Sequence, residues 1–150
     1  MDVGYINPFI SAVRNLFDTM IQLPVTLGKP ELKRGQATSN DISGIIGISG
    51  DVSGSVVVGF PGAIAKRLAS VLLGEEVNEI DDYCTDVIGE IANMVAGDAK
   101  NGFPKSNTTV SVPTVVIGKH EVTFPRGVPI ITIPCATGSG TFTIDVALKT

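Results

Sequence analysis

With one histidine and two cysteines in 150 residues, the chain is short of metal ligands and of bases that could activate a nucleophile. A zinc site needs several such side chains at suitable spacing, and His120, between Lys119 and Glu121 with no cysteine cluster nearby, does not provide one. A Ser/His/Asp triad would have to be built around that same residue, and no nucleophile motif stands near it; His120 is expected to be a solvated loop residue. Basic runs are missing too. The net charge is -4, and the three cations of Lys29–Arg34 are interrupted by Pro30 and Glu31. That balance argues against nucleic acid and anionic membranes as main partners. No apolar run approaches the ~18 residues that span a bilayer, and Met1–Ile10 lacks the basic start and apolar core of a signal peptide. A cytoplasmic protein is expected, with Cys84 and Cys135 as buried, reduced thiols. The glycine-rich stretches 47–54 and 138–140 lack the GxxxxGK[ST] pattern and read as hairpin turns, not phosphate loops.

What the chain has in quantity is apolar residues, 43% against 17% charged. This is the composition of a globular protein, and 150 residues suffice for one domain, 1–150, burying about 70% of its unfolded surface. Asn7-Pro8 reads as a cap followed by a first-turn proline. Phe9, Ile10, Val13, Leu16, Phe17, Met20 and Ile21 then follow at helical spacing up to Pro24. Val25–Lys33, with Pro30 inside, reads as an edge strand. Ile42–Ile48 and Val52–Phe60 read as two strands joined by a turn at Ser49-Gly50-Asp51, and Ala63–Leu73 as a short helix stopped by Gly74. After the acidic linker Glu75–Asp81 comes a long helix ended by Gly102, Phe103 and Pro104. Thr108–Ile117, Val128–Ala136 and Thr141–Leu148 read as strands. Helix-strand-strand-strand therefore occurs twice, with a short helix between. The expected class is α+β: a mostly antiparallel sheet with helices packed on one face.

The long helix, 82–101, carries the chemistry. Cys84, Val87, Ile88, Ile91, Ala92, Val95 and Ala99 share one arc and are predicted to be buried. Asp86, Glu90, Asn93, Gly97 and Lys100 fall on the opposite arc, and Gly89 and Gly97 flank the polar pair. Glu90 and Asn93, at i and i+3, project side by side. Glycine costs ~1 kcal/mol relative to alanine inside a helix. Two of them here suggest a surface kept low for something large to approach, with Asp86, Gly89, Gly97 and Lys100 as its contacts. The Glu-x-x-Asn spacing is weak alone: Glu75-Glu76-Val77-Asn78 matches it in the linker. Yet an amide can hold a water in a fixed orientation and a nearby carboxylate can pair with a partner's cation, which suits phosphoryl hydrolysis by positioning.

Four segments together resemble the CheC/CheX/FliY family of chemotaxis phosphatases, its single-site CheX type in particular. They are the opening helix from Tyr5-Ile6-Asn7-Pro8-Phe9 to Phe17-Asp18-Thr19-Met20, the run Val52–Pro61, the helix with Glu90-Ile91-Ala92-Asn93-Met94, and Val110–Gly118. The resemblance implies a CheC-like fold and a phosphatase acting on the phosphoaspartate of a CheY-like receiver domain. It implies that Asn93 orients the attacking water and that Glu90 pairs with a receiver lysine. Magnesium would belong to the receiver, with no cofactor in this chain. It also implies a homodimer built through an edge strand. Two-site members carry a second Glu-x-x-Asn on the opening helix; here Asn15 and Asp18 make no such pair, so one site is expected. The alternative is an adaptor module that binds the receiver through the same face without hydrolysis.

Overall fold

The computed structural model describes residues 3–33, 40–104 and 107–150. Arg34, the last cation of the Lys29–Arg34 group, lies outside them. The elements in chain order are α1 (Val3–Leu16), β1 (Thr26–Leu27), β2 (Glu31–Leu32), β3 (Asn40–Gly50), β4 (Ser53–Phe60), α2 (Gly62–Leu73), α3 (Asp82–Lys100), β5 (Thr108–Val110), β6 (Thr114–His120), β7 (Ile131–Thr137) and β8 (Gly140–Lys149).

All strand pairs are antiparallel, in the order β1-β7-β8-β4-β3-β5, with β2 also on β7 and β6 also on β3. The doubled order read from the sequence has a spatial counterpart. Each half begins with a helix and a broken strand (β1/β2 or β5/β6) and ends in two longer strands. The broken strand of the first half pairs with β7, and that of the second half pairs with β3, while β4 and β8 meet at the centre. Each half thus completes the other's sheet. Prolines break both edge strands: Val25–Lys33 becomes two short pairings on either side of 28–30, and Thr108–Ile117 splits at 111–113. Proline cannot donate to a ladder, so the segments containing Pro30 and Pro113 lie at the edges.

One face of the sheet carries Ile42, Ile46, Val56, Val58, Phe60, Ile133, Ile144 and Val146, all fully buried beneath the helices. Alternation puts Ser43, Val57, Thr132 and Asp145 on the other face. There Lys33 Nζ lies 2.8 Å from Asp145 Oδ2, and the Thr132 hydroxyl donates to Asp145 Oδ1 at 2.6 Å. His120 is not the solvated loop residue expected. It ends β6, half-buried, with Nδ1 2.6 Å from the Gly118 carbonyl and Nε2 2.8 Å from Ser43 Oγ. A carbonyl only accepts, so in the neutral ring Nδ1 carries the proton and Nε2 accepts from the Ser43 hydroxyl.

The first helix also differs from its expected limits. It starts at Val3, with Pro8 inside it, because Tyr5 and Ile6 are buried and the Tyr5 ring packs against Phe103 at 5.4 Å. That apolar packing offsets the one helical hydrogen bond proline cannot make. At its far end the helix widens into a π-helical turn, Phe17–Ile21, and is stopped before Pro24 by Gln22 at φ 58°, whose N–H donates to the Phe17 carbonyl.

Candidate functional site

Helix α3 opens where the acidic linker closes. Asp81 is extended, and its carboxylate accepts from the Cys84 N–H at 2.9 Å, an N-cap that satisfies one of the otherwise unpaired donors of the first turn. Asp82 in the first turn and Lys100 in the last complement the helix dipole. The seven residues of the predicted apolar arc are all buried. They rest on β3, where the helix comes so close that a Cβ on Gly44 would lie 2.6 Å from the Ala92 Cβ.

Gly89 requires a correction. It was expected on the exposed flank beside Glu90, but it is buried: a Cβ there would meet Val115 Cγ2 at 3.3 Å and Pro113 Cγ at 3.5 Å. The glycine lets α3 close against the β5–β6 edge, and it does not lower a surface for a partner. Ala96, two turns further along the same line and outside the predicted arc, is buried as well. The exposed arc is therefore narrower and displaced away from that edge.

On it, Asp86 and Glu90 stand in solvent, while Asn93, Gly97 and Lys100 are half-buried. Among the described residues, nothing beyond its own helix neighbours lies within 4 Å of where a Gly97 Cβ would be. Asp82, Asp86 and Glu90 form an exposed row at i, i+4 and i+8. Like charges at this spacing weaken a helix by a few tenths of a kcal/mol per pair. Among the described residues the one ion pair is Lys33–Asp145, so the row has no cation of its own. The side chains of Glu90 and Asn93 likewise make no hydrogen bond to the described protein.

Two features that the sequence reading missed border this face. On one side is a shallow groove between Met94 and Gly97 of α3 and Asn15, Thr19 and Met20 at the end of α1. The π-helical turn carries Thr19 and Met20 there, and Met20 is half exposed. On the other side is Ser111-Val112-Pro113. The Ser111 N–H donates to the Gly47 carbonyl at 2.8 Å, its Oγ accepts from the Gly47 N–H at 2.8 Å, and its hydroxyl donates to the Val112 carbonyl at 2.8 Å. Val112 itself is 83% exposed. The acidic row was visible in the sequence as Asp82 four residues before Asp86. The exposure of Val112 was not, because 108–117 read as one continuous strand.

Among the described residues no group of three or more His, Cys, Asp or Glu side chains could hold a metal ion. Both cysteines are free and buried. Burial pushes the Cys84 thiol up, with the Asp81 carboxylate adding to the rise and Lys66 opposing it; burial alone pushes Cys135 up to about 12. What the face does offer is an unengaged amide beside an unengaged carboxylate, on a helix anchored to the core. No helix among the described residues is long and apolar enough to cross a membrane.

Comparison with known proteins bears on the family and the fold. The family model of the chemotaxis phosphatase CheX matches residues 42–136. The CheY-P phosphatase CheX of Thermotoga maritima is 28% identical over 122 residues, 79% of each chain. A CheC-like superfamily protein from Shewanella sp. PV-4 superposes over the whole of both chains with a TM-score of 0.92 and 32% identity. CheX of Borrelia burgdorferi, solved in complex with CheY, BeF3 and magnesium, shares the fold: TM-score 0.85, 23% identity, covering 99% of this chain and 100% of that one. The chain belongs to the CheX family of chemotaxis phosphatases.

Proposed function

We propose that this protein hydrolyses the phosphoaspartate of a CheY-like receiver domain, with Asn93 orienting the attacking water and Glu90 pairing with a lysine of the receiver. The observation that carries the reading is the state of the pair. Both side chains sit on the open arc of a capped, core-anchored helix with no partner among the described residues. A buried helix amide is normally satisfied; one left unengaged at a surface can donate and accept toward a bound water. The Thermotoga maritima relative acts on CheY-P, and the Borrelia burgdorferi relative was solved with CheY; both support a receiver as the partner.

The reaction needs little covalent help from this chain. Phosphoryl transfer is catalysed mainly by in-line placement and charge stabilisation. The magnesium belongs to the receiver, where it neutralises phosphoryl charge. Asn93 holds the water, and Glu90 fixes the register of the two proteins. The acidic row Asp82, Asp86 and Glu90 favours a basic rim around the receiver's phosphorylation site. We place the pair in the cytoplasm.

The same reading carries a second copy of the chain. β6 is a seven-residue edge strand, and its outer row of backbone groups suits pairing with its mate in a homodimer. Sedimentation of the purified protein checks this.

The decisive experiment is the lifetime of phosphoaspartate on purified CheY-like receivers encoded by the same genome, with the wild type and with Asn93→Ala. Faster loss with the wild type alone is expected. Equal acceleration by both would remove Asn93 from the mechanism. Binding without acceleration would favour an adaptor.

A further inference from the structure

We propose that Val112 is an apolar contact with the receiver domain, one that sets affinity and leaves the chemical step alone; this rests on the function proposed above. Pro113 packs on Gly89, the residue before Glu90, with its Cγ 3.5 Å from where a Gly89 Cβ would be. A specific protein–protein interface covers about 800 Å² per partner, a disc roughly 16 Å in radius. A receiver brought close enough for its phosphoaspartate to meet Asn93 therefore covers the Ser111–Pro113 segment as well.

A single exposed valine is ordinary on a protein surface. This one sits in a frame. Ser111 bonds to Gly47 through both its N–H and its hydroxyl oxygen, and its hydroxyl proton goes to the carbonyl of Val112 itself. Pro113 fixes the backbone on the other side. An 83% exposed, β-branched side chain with few rotamers, on a segment tied at both ends, loses little entropy when a partner covers it.

The α3 face supplies charge and an amide: Asp82, Asp86, Glu90 and Asn93. Charged rims steer and align partners, while desolvated apolar anchors supply most of the retention. Val112 is an exposed large aliphatic side chain on the shoulder of that face, next in sequence to the Pro113 that packs on Gly89.

The test compares wild type, Val112→Ser and Val112→Asp in two assays on the same receivers. One is steady-state dephosphorylation; the other is binding to the beryllofluoride-activated receiver. The expected result is a rise of about tenfold in KM and in Kd for Val112→Ser, larger for Val112→Asp, with kcat unchanged. An unchanged KM and Kd overturns the proposal. So does a change in the sedimentation of the variant alone, which would assign Val112 to a self-contact. Thermal unfolding should not move, since the side chain touches little in the free protein. The two readings fail separately. A wild type that binds the activated receiver without hydrolysing phosphoaspartate sinks the phosphatase and leaves Val112 to be judged on Kd. A wild type that neither binds nor hydrolyses sinks both.

Discussion

Gly44 of β3 lies directly beneath Ala92 of α3, so close that a Cβ on the glycine would stand 2.6 Å from the alanine's Cβ and 3.4 Å from the Ile88 carbonyl oxygen. Ala92 precedes Asn93. The depth at which the helix settles on the sheet, and so the height of the proposed catalytic amide, depends on the absence of a side chain at position 44.

Gly44→Ala is therefore expected to cost stability and activity together. The neighbours are backbone and a short side chain on a packed helix, which cannot swing aside. Overpacking of this kind costs about 1–3 kcal/mol. Urea unfolding should show a lower midpoint, and the dephosphorylation rate should fall in the fraction that remains folded. A variant as stable as the wild type would mean that α3 rides freely on the sheet.

The acidic row gives a prediction about salt. Asp82, Asp86 and Glu90 are exposed and have no cation within the described chain. If they align a basic receiver surface, KM should rise severalfold between low and 0.5 M salt, as the Debye length shrinks from ~10 Å at 0.1 M. Asp86→Lys should raise KM at low salt and flatten its salt dependence. A KM indifferent to ionic strength in the wild type would remove the row from docking.

Much of this site was legible in the sequence because one helix carries it. The 3.6-residue period of Cys84, Val87, Ile88, Ile91, Val95 and Ala99 fixed which arc is buried, and Asp81 with the acidic linker marked where the helix starts. Gly89 escaped because a helical wheel knows nothing of neighbours: the β5–β6 edge rises against one flank of α3 and buries a residue whose angle alone made it look open. Val112 escaped for a related reason. Thr108–Ile117 reads as one strand with Pro113 in it, and only the break at 111–113 turns it into two strands with an exposed valine between them. The start of α1 was misplaced because the burial of Ile6 and of Tyr5, whose ring packs on Phe103, is a tertiary gain invisible to local capping rules. The doubled order of elements was readable; that each half's broken strand would pair with the other half was not, since pairing partners leave no local trace.

The ion pair on the far face of the sheet makes a prediction about folding alone. Lys33 Nζ and Asp145 Oδ2 are 2.8 Å apart with side chains 13% and 8% exposed, and Thr132 completes the carboxylate's bonding. Removing one partner of a buried pair strands the other, at about 3–5 kcal/mol. Lys33→Ala should lie at the low end, because water can enter beside the more exposed partner. Replacing both, as Lys33→Met with Asp145→Leu, should recover most of the loss in urea unfolding. Single variants that cost nothing would show that the pair is already hydrated.

Cys135 offers a test through pH. Its thiol is fully buried on the helix-facing side of β7, and burial raises its pKa from 9.0 to about 12. The folded protein therefore keeps the proton over a range in which the unfolded chain gives it up. Since the native state binds more protons there, stability falls as pH rises, beginning near 9 and continuing toward 12. Below pH 9 both states hold the proton and the thiol contributes no slope. Other groups titrate in the same range, so the measurement is a difference: urea midpoints of wild type and Cys135→Ala at pH 8 and pH 10.5. The wild type should lose more stability across that interval than the variant, and the thiol should resist alkylation by iodoacetamide at pH 8 until the protein is unfolded. Rapid modification of the native protein would show that the sheet opens at β7. Parallel pH profiles for the two proteins would show that the unfolded chain keeps Cys135 as shielded as the fold does.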